Sequence, residues 1–158
     1  MAWSRVLVGA LVAVFVVVFT AGCVTKSPPE QGERERKAAS VPAFKLHMTQ
    51  DLWERTNVRQ SAKLVREPKK VTDLPGGMVT VELTGPQMVD YLQGLDYNAH
   101  GGGGAKDESL AEAVYDTVAP VLDRIESPPP AGAPIPEITV HAAVGAATST
   151  TAPAPPGR

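Results

Sequence analysis

"MVTVELTGPQMVDYLQGLDYNAH", Met78 to His100, changes its hydrophobic period in the middle, and the change decides the fold class. Val79, Val81 and Leu83 alternate with Thr80 and Glu82, which predicts a half-buried strand. Thr84 or Gly85 then offers a cap, and Pro86 takes the first helical position, where a missing N–H costs nothing. Met88, Tyr91, Leu92 and Leu95 follow at i, i+3, i+4 and i+7, one apolar helix face reaching to about Tyr97. A strand running straight into a helix excludes a purely helical chain.

C-terminal to it comes "HGGGGAKDES", His100 to Ser109. His-Gly-Gly-Gly is the sequence of an oxyanion-hole loop in some esterases, but those enzymes also need a serine in G-x-S-x-G. Ser61, Ser109 and Ser127 all lack that context. A phosphate-binding loop needs Ser or Thr after its lysine, and Asp107 follows Lys106 here. The glycines therefore read as a sharp reversal between two antiparallel helices. Asp107 is placed to cap the second helix, whose apolar series is Leu110, Ala113, Val114, Val118, Val121, Leu122 and Ile125. Pro120 falls inside that series and predicts a kink or break near Ala119.

N-terminal to the strand, Phe44, Met48 and Leu52 fall at i, i+4 and i+8 and predict a helix from Ala43 to about Arg66. Arg55, Arg59, Lys63 and Arg66 would continue along nearly the same face as a basic stripe, a candidate interaction surface for acids of the same fold or of a partner. Glu67-Pro68 would end the helix, and "PKKVTDLPGG" reads as a loop. From Lys26 to Lys70 eleven bases face six acids, a net charge of +5; from Val71 to Glu126 two bases face ten acids, a net charge of −8. Such halves either face each other within one fold or offer a basic arm to an anionic partner.

The expected fold is mostly α with a small β element, an α+β arrangement of three amphipathic helices and a short strand pair. The folded part would span 43–126, about 80 residues, which is a small core from which to carve a deep enzyme cleft. Val24 to Pro42 is loaded with Pro, Gly and charge and reads as a flexible tether. Residues 127–158 read as a Pro/Ala/Thr-rich tail, with a short strand at 137–142 to pair with Met78–Leu83.

The first two dozen residues carry a different message. Arg5 supplies a positive n-region, Val6 to Phe19 is an uncharged apolar run, and "TAGC", Thr20 to Cys23, closes it, in the order of a secretory signal peptide. Ala21, Gly22 and Cys23, the single cysteine of 158 residues, resemble the lipobox of bacterial lipoproteins, with Thr20 departing from the usual Leu. That resemblance implies signal-peptide removal between Gly22 and Cys23, a diacylglyceryl thioether on the Cys23 sulfur, and often an N-acyl chain. Such an anchor is stable where a single acyl chain is marginal. It also implies a place on the outer face of the cytoplasmic membrane. The competing reading is a single N-terminal transmembrane anchor, since Val6 to Val24 is long enough to span. "VELTGPQMVDYL", "LDYNAHGG" and "LAEAVYDTVAPVLDRI" are similar to a pattern in small uncharacterised lipoproteins of high-GC Gram-positive bacteria, which implies no activity.

Among chemistry-bearing residues, Asp96 and His100 stand four apart, with Asp107 and Glu108 beyond the glycines, a weak candidate metal site. A good zinc site wants three or four N/S ligands, and the competing account is two exposed polar residues at a helix end. Glu112 and Asp116 share one helix face and read as solvated. No aromatic-interleaved basic surface points to nucleic acid, and no motif calls for a cofactor. The expectation is a non-enzymatic, membrane-anchored lipoprotein that binds or scaffolds an envelope protein or component. The alternative is a small hydrolase or metal-dependent enzyme using Asp96 and His100.

Overall fold

The computed structural model describes residues 26–58, 64–101 and 103–141. Within them lie α1 (Gln31–Ser40), β1 (Phe44–Thr49), α2 (Gln50–Thr56), β2 (Lys70–Leu74), a 3-10 turn (Pro75–Gly77), β3 (Met78–Leu83), α3 (Gly85–Ala99), α4 (Glu108–Asp123) and β4 (Glu137–Thr139). The fold is α+β, as the period switch at Thr84 implies. Its sheet is larger than the strand pair expected: four strands in the order β2-β3-β1-β4, with β4 parallel to β1 and the other pairs antiparallel.

Thr84 starts α3 with a capping box: its hydroxyl accepts from the Gln87 N–H at 3.4 Å, and its own N–H donates to Gln87 Oε1 at 2.9 Å. One sheet face is apolar and sealed by Phe44, Leu46, Met48, Val79, Val81, Leu83 and Ile138. These join Met88, Tyr91, Leu92 and Leu95 of α3 and Val114, Val118 and Leu122 of α4 in one core. The other sheet face is polar and carries Lys45–Glu137 at 2.8 Å, His47–Thr80 at 3.0 Å and Lys69 against Glu82.

The helix expected over 43–66 is replaced by β1 and the short α2. Phe44 and Met48 sit four apart, a spacing that fits both a helix face and a strand face. Leu46 separates the two readings, and it is fully buried between alternately half-exposed Lys45 and His47. α2 stops at Thr56, and the Asn57 side chain clamps Val65 from both sides, donating to its carbonyl at 2.9 Å and accepting its N–H at 3.0 Å.

The loop expected before Met78 contains β2. All five β2 residues are exposed, so the strand rests on its ladder to β3 and leaves no burial pattern in the sequence. β4 pairs with β1 and not with Met78–Leu83, because β3 is already flanked by β1 and β2. It ends at Thr139, shorter than expected, and Ala142 lies outside the described residues. Of the kink or break expected near Ala119, a break does not occur: α4 runs through Pro120. Pro120 is exposed, while Val118, Ala119 and Leu122 around it are buried and hold α4 together to Asp123.

The tether reading fails for residues 26–42. Of α1 only Gln31 and Ala38 are buried, and its attachment is largely polar. Arg34 grips Asp123 with two donors at 2.9 and 2.8 Å, Lys37 Nζ donates to the Asp123 carbonyl at 2.6 Å, and Gln93 donates to Glu35 at 2.8 Å. At its C-terminal end α1 abuts Gly85, where an added Cβ would lie 2.5 Å from the Val41 carbonyl oxygen. In the expected tail the short strand forms as β4, and Ile138 and Val140 join the core, whereas 127–136 is mostly exposed and carries no helix or strand. Residues 142–158 lie outside the described residues.

Burial pushes the Tyr91 phenol well above its ordinary value of 10.0, opposed by its hydrogen bond to Thr56 at 2.7 Å. A raised folded-state pKa means the folded chain keeps a proton the unfolded chain loses. That stability is complete below the unfolded value and is lost as pH rises through the folded one. Stability should therefore fall above about pH 10, the unperturbed tyrosine value. Urea denaturation across that range should show a shallower alkaline fall in Tyr91→Phe than in the wild type.

Candidate functional site: a polar seam between three helices

α1, α3 and α4 meet along a line of polar side chains. Asp96, in the last turn of α3, is buried, and both carboxylate oxygens are engaged. Ser27 Oγ donates to Oδ2 at 2.6 Å, and His100 Nδ1 donates to Oδ1 at 2.7 Å. The His100 ring meets Tyr115 of α4 edge-on, with centroids 5.1 Å apart. The Tyr115 hydroxyl donates to Gln31 Oε1 at 2.6 Å and accepts from Arg34 Nη1 at 3.1 Å, and Arg34 continues to Asp123. The guanidinium holds the Asp123 carboxyl below its ordinary value, and burial pushes the Tyr115 phenol up against the opposing pull of Arg34.

Asp96 and His100 are thus brought together, but as a part-buried pair rather than as exposed residues at a helix end. Deleting the carboxylate would remove the charged acceptor of both Ser27 Oγ and His100 Nδ1, leaving the imidazole its longer contact of 3.1 Å to the Asp96 backbone carbonyl. Asp96→Ala should destabilise the fold by about 1–3 kcal/mol, the order of a hydrogen bond to a charged group. A melt unchanged by Asp96→Ala would contradict this packing.

The seam is poorly arranged for nucleophilic catalysis. A serine nucleophile needs its proton directed to a base that a third group orients. Here Ser27 and His100 bind separate oxygens of one carboxylate, so the Ser27–Asp96 bond points away from a serine–histidine relay. Asp107 and Glu108 do not complete a metal site, because the Asp107 carboxylate turns to Arg55 at 3.3 Å. Among the described residues no group of three or more His, Cys, Asp or Glu is close enough to hold a metal ion.

The glycine turn reverses the chain as its sequence implies. Gly101 and Gly104 take left-handed backbone at φ 79° and 87°, and Gly101 directly follows the His100 cap that ends α3. The Asn98 side chain spans the turn, accepting the Lys106 N–H at 3.0 Å, and Tyr97 donates to the Gly103 carbonyl. Asp107 holds the N-cap position of α4, but at φ 48° and with no side-chain cap bond, because Arg55 takes its carboxylate.

Of the expected basic stripe, only Arg55 and Arg66 fall among the described residues. Arg55 lies on α2 and pairs with Asp51 at 3.5 Å and with Asp107; Arg66 lies in the loop beyond it, exposed; Arg59 and Lys63 lie outside the described residues. Arg34–Asp123, Arg55–Asp107 and Lys69–Glu82 all join the basic half of the chain to the acidic half. Gly22 and Cys23 also lie outside the described residues. Sequence reasoning missed Ser27, Gln31, Arg34 and Tyr115 as members of the seam, the first three because their segment has no apolar period.

A concave feature lies at the opposite end of the helices. A groove of ≈ 560 Å³ runs between the end of α1, the end of α4 and the proline-rich segment before β4. Val41, Pro42, Ile125, Pro128, Pro134 and Ile135 form much of its wall, and Ile135 is exposed. Neither family models nor curated proteins nor solved structures match this chain. Among the described residues no helix is long and apolar enough to cross a membrane, and the apolar run Val6–Phe19 lies outside them.

Proposed function

We propose that this chain is a lipid-anchored, extracytoplasmic protein that binds or scaffolds an envelope protein or component and performs no catalysis of its own. The observation that carries the reading is Cys23 itself, a single cysteine behind small residues at the outer end of an apolar leader. A chain held there by its acylated N-terminus would present the rest of its body outside the cell. The groove between the ends of α1 and α4 favours binding, being apolar-walled and concave as ligand and peptide sites are. The part-buried seam weighs against the hydrolase alternative, since the Ser27 hydroxyl donates to Asp96 Oδ2 and not to the His100 ring.

The test is metabolic labelling of cells with a fatty-acid analogue. The wild type should carry the label and Cys23→Ala should not; equal labelling of the two would remove the anchor from the account. The enzymatic alternative rests on the Asp96–His100 contact alone. It predicts a hydrolytic activity lost in His100→Ala at unchanged stability, whereas the binding reading predicts no activity to lose.

A further inference from the structure

We infer that the end of the fold bearing Lys26, His100, Gly103 and Lys106 rests against the anionic phospholipid headgroups of the membrane, with the proline-lined groove turned outward. The inference builds on the anchoring proposed above. Its first support is chain length. The Lys26 N–H donates to the His100 carbonyl at 3.2 Å and Ser27 donates to Asp96, so the body is fixed from Lys26 onward. Only two residues separate Lys26 from Cys23, and the Cys23–Lys26 span is at most about 11 Å between Cα atoms. An acylated Cys23 sits at the lipid interface, so the point where α3 ends must stand beside the headgroups.

The second support is the direction of the helices. Gly85 at the start of α3 touches the end of α1, and His100 at its other end touches Lys26. Fifteen residues of α3 at 1.5 Å each separate the two ends by about 22 Å. The groove lies at the Gly85 end, lined by Ser40–Ala43, Arg124–Glu126 and Pro128–Pro136, beyond reach of the short leash when the helices stand up from the surface.

Charge supplies a third argument, against one way of lying down. The exposed row of α4 is Glu108, Glu112 and Asp116, followed by Pro120 and Asp123. An anionic surface repels that flank. At the membrane-facing end Lys26, Arg55 and Lys106 are exposed beside Asp51, Asp107 and Glu108, with Asp96 held by His100, so this end lacks the excess of acids that the α4 flank carries.

The experiment uses the full, lipidated chain in vesicles of phosphatidylglycerol and phosphatidylcholine. With the Cys23 thiol consumed by its thioether, an introduced cysteine is a unique attachment point. Gly103→Cys has open space around its new side chain, and Ala131→Cys is exposed on the groove wall. Each carries a fluorophore, and the vesicles contain a headgroup-borne paramagnetic quencher. Quenching at position 103 should exceed that at 131 several-fold, and because the short leash is independent of lipid charge the excess should persist, though smaller, on phosphatidylcholine alone. Equal quenching, or stronger quenching at 131, in protein that floats with the vesicles and carries the acyl mass would overturn the orientation while leaving the anchor standing. Protein without acyl mass that fails to float would remove the anchor and the orientation with it.

Discussion

Leu46→Ala should destabilise the protein by about 2–5 kcal/mol, the range for a fully buried leucine truncated in a packed core. Leu46 has no exposed surface, points between Phe44 and Met48 on the apolar face of β1, and pairs in register with Val81 of β3. For a domain whose whole stability is of the order of 5–15 kcal/mol, such a loss is severe. Lys45→Ala, one residue away on the half-exposed face, removes only an exposed ion pair to Glu137 and should cost within about 1 kcal/mol. Urea denaturation of the two variants reads the alternation directly. If residues 44–49 formed a helix, Leu46 would leave the Phe44–Met48 face, and the contrast between the two positions would shrink or reverse.

Gly85→Ala should be costly for the opposite reason, because it adds one carbon where no space exists. An ideal Cβ at Gly85 would lie 2.5, 2.7 and 2.9 Å from the carbonyl oxygens of Val41, Ala38 and Ala39. These are backbone atoms at the end of α1 and cannot swing aside as a side chain can. Overpacking of this kind costs about 1–3 kcal/mol and occasionally more, and here its relief would be displacement of α1 from α3. Amide hydrogen exchange in Gly85→Ala should rise across 31–40 more than across β1 and β3. A variant as stable and as protected as the wild type would mean that α1 is not seated against α3.

These two predictions fall where the sequence misled, and for distinct physical reasons. The spacing of Phe44 and Met48 is shared by both periodicities, so only Leu46 between them carried the strand signal. α1 was misread because its attachment is made by Arg34, Lys37, Gln31 and Glu35, residue types that ordinarily mark a solvated segment. β2 has both faces exposed, and no hydrophobic pattern can reveal a strand held only by its ladder. What was legible rested on local chemistry: the Thr84 capping box, the α3 face of Met88, Tyr91, Leu92 and Leu95, and the reversal at Gly101 to Gly104. The Asp96–His100 contact was legible too, because one helical turn brings i and i+4 side by side. Its burial was not, because the covering residues Ser27 and Tyr115 come from segments 69 and 19 positions away from Asp96 in the chain.

The measurement that bears most directly on the account is the intact mass of the protein extracted from its own membrane. The account predicts a chain that begins at Cys23 and carries a diacylglyceryl group on that sulfur. A chain that retains Met1 to Gly22, with an unmodified Cys23, would contradict it.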